Sequence, residues 1–264
     1  MMPAFFICHG APLLAIQENE YTAHLKQLKN GLAAKPKAIV VFSAHYEREV
    51  TTITYRDDVY ETVYDFYGFP DELYQIKYPA RGSKQVADQM AELFREEGVA
   101  LQLDAQSGLD HGTWVVLHHM YPQAEIPVIQ VSVNLNLPPA EQYRIGRALR
   151  SLREQDVLVI GSGGTSHNLR SIDWSATEPA DWTVAFDDWV IDKARVWDTA
   201  ALFDYEQQAP YAKMAVPRAE HFVPFFLAMG SADRGKEAGG ANHTQVTHRS
   251  YEYGTLSHIV FCFE

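Results

Sequence analysis

"PAFFICHGAP" (residues 3–12) carries an apolar run from Ala4 to Cys8 straight into His9, and Gly10 and Pro12 then turn the chain. An unbroken apolar run of this length is what a strand covered on both faces requires. The phrase returns twice. "KAIVVFSAHYE" (residues 37–47) puts His45 after a second run, and "DVLVIGSGGTSHN" (residues 156–168) puts His167 just past a third. In open α/β sheets ligands bind beyond the carboxyl ends of the strands. Three histidines placed alike therefore point to one site.

Outward from these runs, strand-length apolar stretches alternate with helical patterns. Strands are expected at 4–8, 38–43, 51–55, 127–133, 157–161 and 258–263, and helices at 21–32, 83–97, 113–121, 140–154, 182–197 and 220–229. Within 83–98, Val86, Met90 and Leu93 keep helical spacing and Gly98 supplies a stop. The alternation predicts an α/β protein with a central, largely parallel or mixed sheet flanked by helices. Neither an internal repeat nor a low-complexity linker divides residues 1–264, so one domain is expected. Residues 229–246, rich in Gly, Ala and charge, read as an exposed loop. The aromatic stretch "VYETVYDFYGFPDELYQIKYPA" (residues 59–80) is too irregular for a regular element. It reads as a surface loop folded over its own aromatics, or as a cover for substrate over 63–78.

At 264 residues, 47% apolar and 21% charged, the composition is that of a soluble globular protein with a sizeable core. A formal net charge of −12 argues against a nucleic-acid or anionic-membrane partner, since both need a basic surface. The first residues lack the basic region of a signal peptide, and no run approaches the roughly 18 apolar residues of a membrane span. A cytoplasmic protein is expected. Cys8 and Cys262 each lie in an apolar run and read as reduced, buried, small hydrophobes. With no CxxC pair, a cysteine zinc site is not expected.

Imidazole is the commonest metal ligand, and His9 and His45 at strand ends are candidates for that role. "GSGGTSHNL" (residues 161–169) lacks the phosphate-loop, dinucleotide and nucleophile-elbow patterns. Its glycines are expected to let backbone approach a ligand closely, with His167 facing the same crevice. "PRAEHFVPFF" (residues 217–226) places Glu220 beside His221 at a helix start, and only one of an adjacent pair easily faces a given metal. "GLDHGTWVVLHHMYP" (residues 108–122) offers Asp110, read as an N-cap, and His111. His118 and His119 read as packing or surface residues. His24, His243, His248 and His258 fit no pattern.

Taken in order, "CHGAP", "FSAHYE", "GLDHGTW", "GSGGTSHNLR", "PRAEHFVP" and "YGTLSHIVF" span the chain. Together they resemble the class III extradiol ring-opening dioxygenases, and within them the 4,5-DOPA dioxygenase extradiol group. The resemblance implies a non-haem Fe(II) enzyme that opens catechol-type rings with O2, in a family whose members can also hold zinc. It implies His9, His45 and His221 as metal ligands, His167 as acid/base or as a further ligand, and His111 as a residue that orients or protonates substrate. Non-haem Fe(II) oxygenases usually carry two histidines and one carboxylate. Glu220 is therefore an alternative to His221, while an all-histidine set also suits tetrahedral zinc. For the proton taken from the catechol, His167 is the first candidate and His111 the second. Two rivals use the same residues: a zinc-dependent hydrolase that activates water, and a protein that binds a small aromatic ligand without chemistry.

Overall fold

Alternate residues of the first strand, β1 (Ala4–Cys8), enter two separate cores. Ala4, Phe6 and Cys8 face one apolar cluster, Phe5 and Ile7 the other. This is the period-two signature of a strand sandwiched between layers. The computed structural model describes residues 1–235 and 241–264. After β1 come α1 (Glu20–Leu28), β2 (Ala38–Glu47), β3 (Thr51–Thr54), α2 (Lys84–Glu96), β4 (Leu101–Asp104), α3 (His111–Met120) and β5 (Val128–Val133). Then follow α4 (Pro139–Ala148), β6 (Val157–Gly163), α5 (Asp181–Arg195), α6 (Thr199–Phe203), α7 (Tyr205–Gln208) and α8 (Ala212–Ala215). The chain closes with α9 (Val223–Ser231), β7 (Thr244–Glu252) and β8 (Leu256–Phe263).

The strands form one sheet in the order β4-β3-β5-β2-β6-β1-β8-β7. The four central strands β5, β2, β6 and β1 are mutually parallel, whereas β3 is antiparallel to β5 and β8 to β1. The sheet is therefore mixed, with a parallel centre. On one face, α2, α4, α5 and α9 pack Phe94, Ile145, Phe186 and Phe225 onto Phe6, Val40 and Phe42. On the other, α1 and α3 pack Tyr21, Leu25, Trp114 and Val115 onto Ile7, Val41 and Ile160. Cys8 and Cys262 are both free and buried, and they belong to different faces, so neither can reach the other.

Several expectations need correction. Two edge strands escape the sequence reading. β4 is short and partly exposed, with Leu103 facing solvent, and β7 is polar along most of its length. Neither offers the apolar run by which the central strands are recognised. Of the expected loop over 229–246, the ends belong to α9 and to β7, and residues 236–240 lie outside the described residues. The expected helix at 140–154 is α4 followed by a 3₁₀ turn over Arg150–Gln155, and that at 220–229 is a 3₁₀ turn, Ala219–His221, followed by α9. β2 continues past Ser43 to Glu47, which places His45 inside the strand.

Candidate metal centre

His9 is the first residue after β1, and its backbone N–H donates to the Gly163 carbonyl of β6 (3.0 Å). Its ring is buried, with Nδ1 3.0 Å from Ser162 Oγ. The Ser162 hydroxyl spends its proton on the Gly112 carbonyl, so Oγ must accept from His9 Nδ1–H. The His9 Nε2 lone pair is thereby left facing the site.

His45 reaches the same space from β2, where the ladder to β5 shifts register between Phe42 and Glu47. Such an irregularity re-aims a side chain out of the regular alternation. The Nε2 atoms of His45 and His9 lie 3.0 Å apart.

His221 arrives from the other end of the chain. Its carbonyl accepts from Gly164 N–H (2.8 Å) and lies only 2.0 Å from where a Cβ on Gly163 would stand. Only glycine at 163 admits this approach. The glycines of 161–169 thus serve a backbone approach, as expected, but the partner at Gly163 is the protein's own His221 rather than a ligand. Glu220 Oε1 lies 3.1 Å from His221 Nδ1 and accepts its proton, while His221 Nε2 is buried with no hydrogen-bond partner.

His9, His45 and His221 each offer a nitrogen, all within 4.8 Å of one another. Burial drives the His9 and His221 imidazoles well below their ordinary value, and it drives His45 down to about 3. All three are neutral at pH 7, the form that binds metal. A buried, unpartnered His221 nitrogen grouped with the bare Nε2 of His9 and the Nε2 of His45 fits a cation such as Fe(II) or Zn(II). His167 and Glu220 form a second set with His221, apart from His9 and His45. Burial also holds His167 down to about 4.

His111 opens α3. Asp110 caps that helix as expected, its Oδ1 accepting from Thr113 N–H (3.1 Å) and from the Ser43 hydroxyl (2.6 Å). Gly112 lets the first turn press against the imidazoles, since a Cβ there would stand 3.1 Å from His45 Cδ2 and 3.2 Å from His9 Nδ1. The ring centres of His111 and His45 are 4.0 Å apart.

Sequence reasoning missed Asp65. Its Oδ1 accepts from His111 Nδ1–H (2.9 Å) and from His111 backbone N–H (3.0 Å), and its Oδ2 lies 3.5 Å from His45 Nδ1. Burial works to raise the Asp65 carboxyl, but the hydrogen bonds and charge of His111, with His45, hold it below its ordinary value. The one available signal was a lone carboxylate inside the aromatic run YDFYGF. That run folds over its own aromatics: Phe66 meets the His111 ring edge-on at 5.7 Å and packs near Trp114, while Tyr67 is 91% exposed. His119 is a packing residue whose Nε2–H donates to the Leu14 carbonyl (2.9 Å). His248 and His258 pack on the Tyr21 ring and His24 packs on His248, in a group separate from the metal-candidate nitrogens.

Buried imidazoles gathered beyond the carboxyl ends of parallel strands define an α/β protein built around a histidine centre. Residues 3–262 match the family described as the catalytic LigB subunit of aromatic ring-opening dioxygenase, and the chain belongs to that family. It is 37% identical over 262 residues to a 4,5-DOPA dioxygenase extradiol of Beta vulgaris, covering 98% of this chain and 95% of the relative. It is 34% identical to a protein of the same name from Escherichia coli (strain K12), covering 97% and 92%. A crystal structure of an uncharacterized Escherichia coli K12 protein superposes with a TM-score of 0.82 at 30% identity, covering 99% of both chains. The chain is accordingly an oxidoreductase of the ring-opening dioxygenase class, and neither the hydrolase nor the binding-only reading is favoured. Among the described residues, no helix is long and apolar enough to cross a membrane.

Proposed function

We propose that this protein opens a catechol-type ring, DOPA-like in its diol, in the extradiol manner with O2, using Fe(II) held by His9, His45 and His221. The observation that carries the reading is His221 Nε2: buried, without a partner, and grouped with the nitrogens of His9 and His45. When bound, Fe(II) supplies Lewis acidity toward the catechol oxygens and the electron that O2 needs, whereas Zn(II), which fits the same nitrogens, has no redox chemistry. His167 takes the catechol proton and later returns it. It is a neutral imidazole at pH 7 and can therefore accept. His111, its Nδ1–H engaged by Asp65, turns Nε2 toward substrate as orienting group and second proton carrier. Phe66 and its aromatic neighbours wall the site and exclude water. A cytoplasmic location is part of the proposal, supported by the two unpaired thiols.

Anaerobic loading with Fe(II), followed by oxygen-uptake measurements across a panel of catechols that includes DOPA, tests the proposal. Oxygen uptake with a ring-opened product is expected with Fe(II) and not with Zn(II). A fully Fe(II)-loaded protein that consumes no O2 with any catechol would overturn it.

A further inference from the structure

We infer that Asp65 is a positioning residue whose single carboxylate sets the tautomers of two histidines with different tasks, His45 and His111. The inference rests on the proposed roles of those histidines as metal ligand and proton carrier. Two donors of His111, one of them a backbone N–H that cannot turn away, converge on Asp65 Oδ1. That oxygen is therefore held as an acceptor, and His111 must keep its proton on Nδ1 and its lone pair on Nε2. The second oxygen, Oδ2, faces His45 Nδ1 at 3.5 Å. With the His45 proton drawn to Nδ1, its Nε2 is bare, and it faces the equally bare Nε2 of His9 at 3.0 Å. Two lone pairs at that distance repel, a cost that the Asp65 carboxylate offsets by holding the His45 proton on Nδ1 and that a cation at the site relieves.

The segment that delivers Asp65 is stapled in place. The Trp114 indole N–H donates to the Val63 carbonyl (2.9 Å), Val63 N–H donates to the Leu109 carbonyl (2.9 Å), and Phe66 packs on His111. Asp65 is thus held where small displacements would be felt at both rings.

Asp65→Asn separates the two tasks almost without changing shape. The backbone N–H of His111 requires the amide oxygen to stay at the Oδ1 position, so the amide NH2 must stand where Oδ2 stood. His45 Nδ1 then has to accept a hydrogen bond, its proton moves to Nε2, and the lone pair a metal needs is filled. His111 keeps its tautomer. Thr62→Val serves as the control. It removes a hydrogen bond in the same segment, from Tyr78 N–H to Thr62 Oγ1 (2.8 Å), without touching the site.

The test is Zn(II) affinity by chelator competition, together with ¹⁵N NMR of the imidazoles in the metal-free proteins. Asp65→Asn is expected to weaken Zn(II) binding about 10–100-fold, with Thr62→Val at the wild-type value. The spectra should show the His45 proton moved to Nε2 and that of His111 unmoved. Wild-type affinity in Asp65→Asn, an unchanged His45 tautomer, or an equal loss in Thr62→Val would each overturn the inference. Failure of the underlying reading has a different signature, namely wild-type protein that binds no Zn(II), or His45→Ala that binds it as wild type does. In that event the NMR arm still decides whether Asp65 sets the two tautomers.

Discussion

The imidazole of His167 lies face to face on that of His221, with ring centres 3.5 Å apart and planes within 11°. A stacked ring meets its neighbour with its π-face and keeps its nitrogens at the edge. Removing it should leave the nitrogens of His9, His45 and His221 in place. His167→Ala is expected to retain its metal and to slow turnover by roughly 10²–10⁴-fold. Metal analysis beside oxygen-uptake rates checks this. Loss of the metal would make His167 a ligand, and full activity with full metal would remove it from both roles.

His45→Ala should lower metal affinity by at least about 10–100-fold, the range that loss of a mere supporting contact can reach. The melting temperature of the metal-free variant should change little, because the ring contributes to the site rather than to either apolar cluster. Unchanged metal stoichiometry after dialysis against a weak chelator would take His45 out of the centre.

Gly163→Ala forces a methyl group against the His221 carbonyl. Overpacking against backbone is expected to cost about 1–3 kcal/mol or more, read as a lower urea midpoint. Metal binding should weaken as well, since relief of the clash must move His221. A variant with wild-type stability and affinity would show that this approach is not required.

The metal-free protein should lose stability as pH falls below about 6.5. The imidazoles of His9, His45, His167 and His221 are held below their ordinary value in the folded state, so the unfolded chain takes up protons first. For His167, held at about 4, this amounts to up to ~2 kcal/mol at pH 5. Asp110 and Asp187 work in the opposite direction. Burial raises both to about 6, so the folded state gains protons before the unfolded one as pH falls toward 4. With Glu220, also raised by burial, the opposing carboxyls number three against four imidazoles, and urea midpoints at pH 7 and pH 5 should show a net fall. An equal or higher midpoint at pH 5 would contradict the assignment of buried neutral imidazoles.

Cleavage by chymotrypsin near the exposed Tyr67 should slow when a catechol joins the metal-loaded protein, if the 63–78 segment covers the ring. Digestion time courses with and without catechol decide the point. Equal rates would leave the segment as a loop packed on its own aromatics.

The parallel centre of the sheet was legible because β1, β2, β5 and β6 are buried on both faces and must be apolar throughout. His9, His45 and His221 stood out because each sits in or beside a recognisable element: His9 just after β1, His45 within β2 and His221 just ahead of α9. Strand order was not, since β6 pairs with both β1 and β2 across long stretches of chain. The edge strands were hidden by their exposure. Asp65 was hidden because an aperiodic segment carries no register, and only folding shows which of its side chains meets His111. How Glu220 and His221 stand to the site also needed three dimensions: Glu220 accepts the Nδ1 proton of its neighbour, and His221 shares a nitrogen set with His9 and His45.

The place of β1 in the sheet has a consequence for synthesis. Its two neighbours are β6 and β8, both made long after it. β1 therefore leaves the ribosome well before either of its partners, and AFFIC must travel as an unpaired apolar segment in the meantime. Nascent chains that end before Val157 should cling to holding chaperones or aggregate, whereas β2 and β5 can pair earlier. The same delay keeps His9 from meeting His221 until that residue too has been translated.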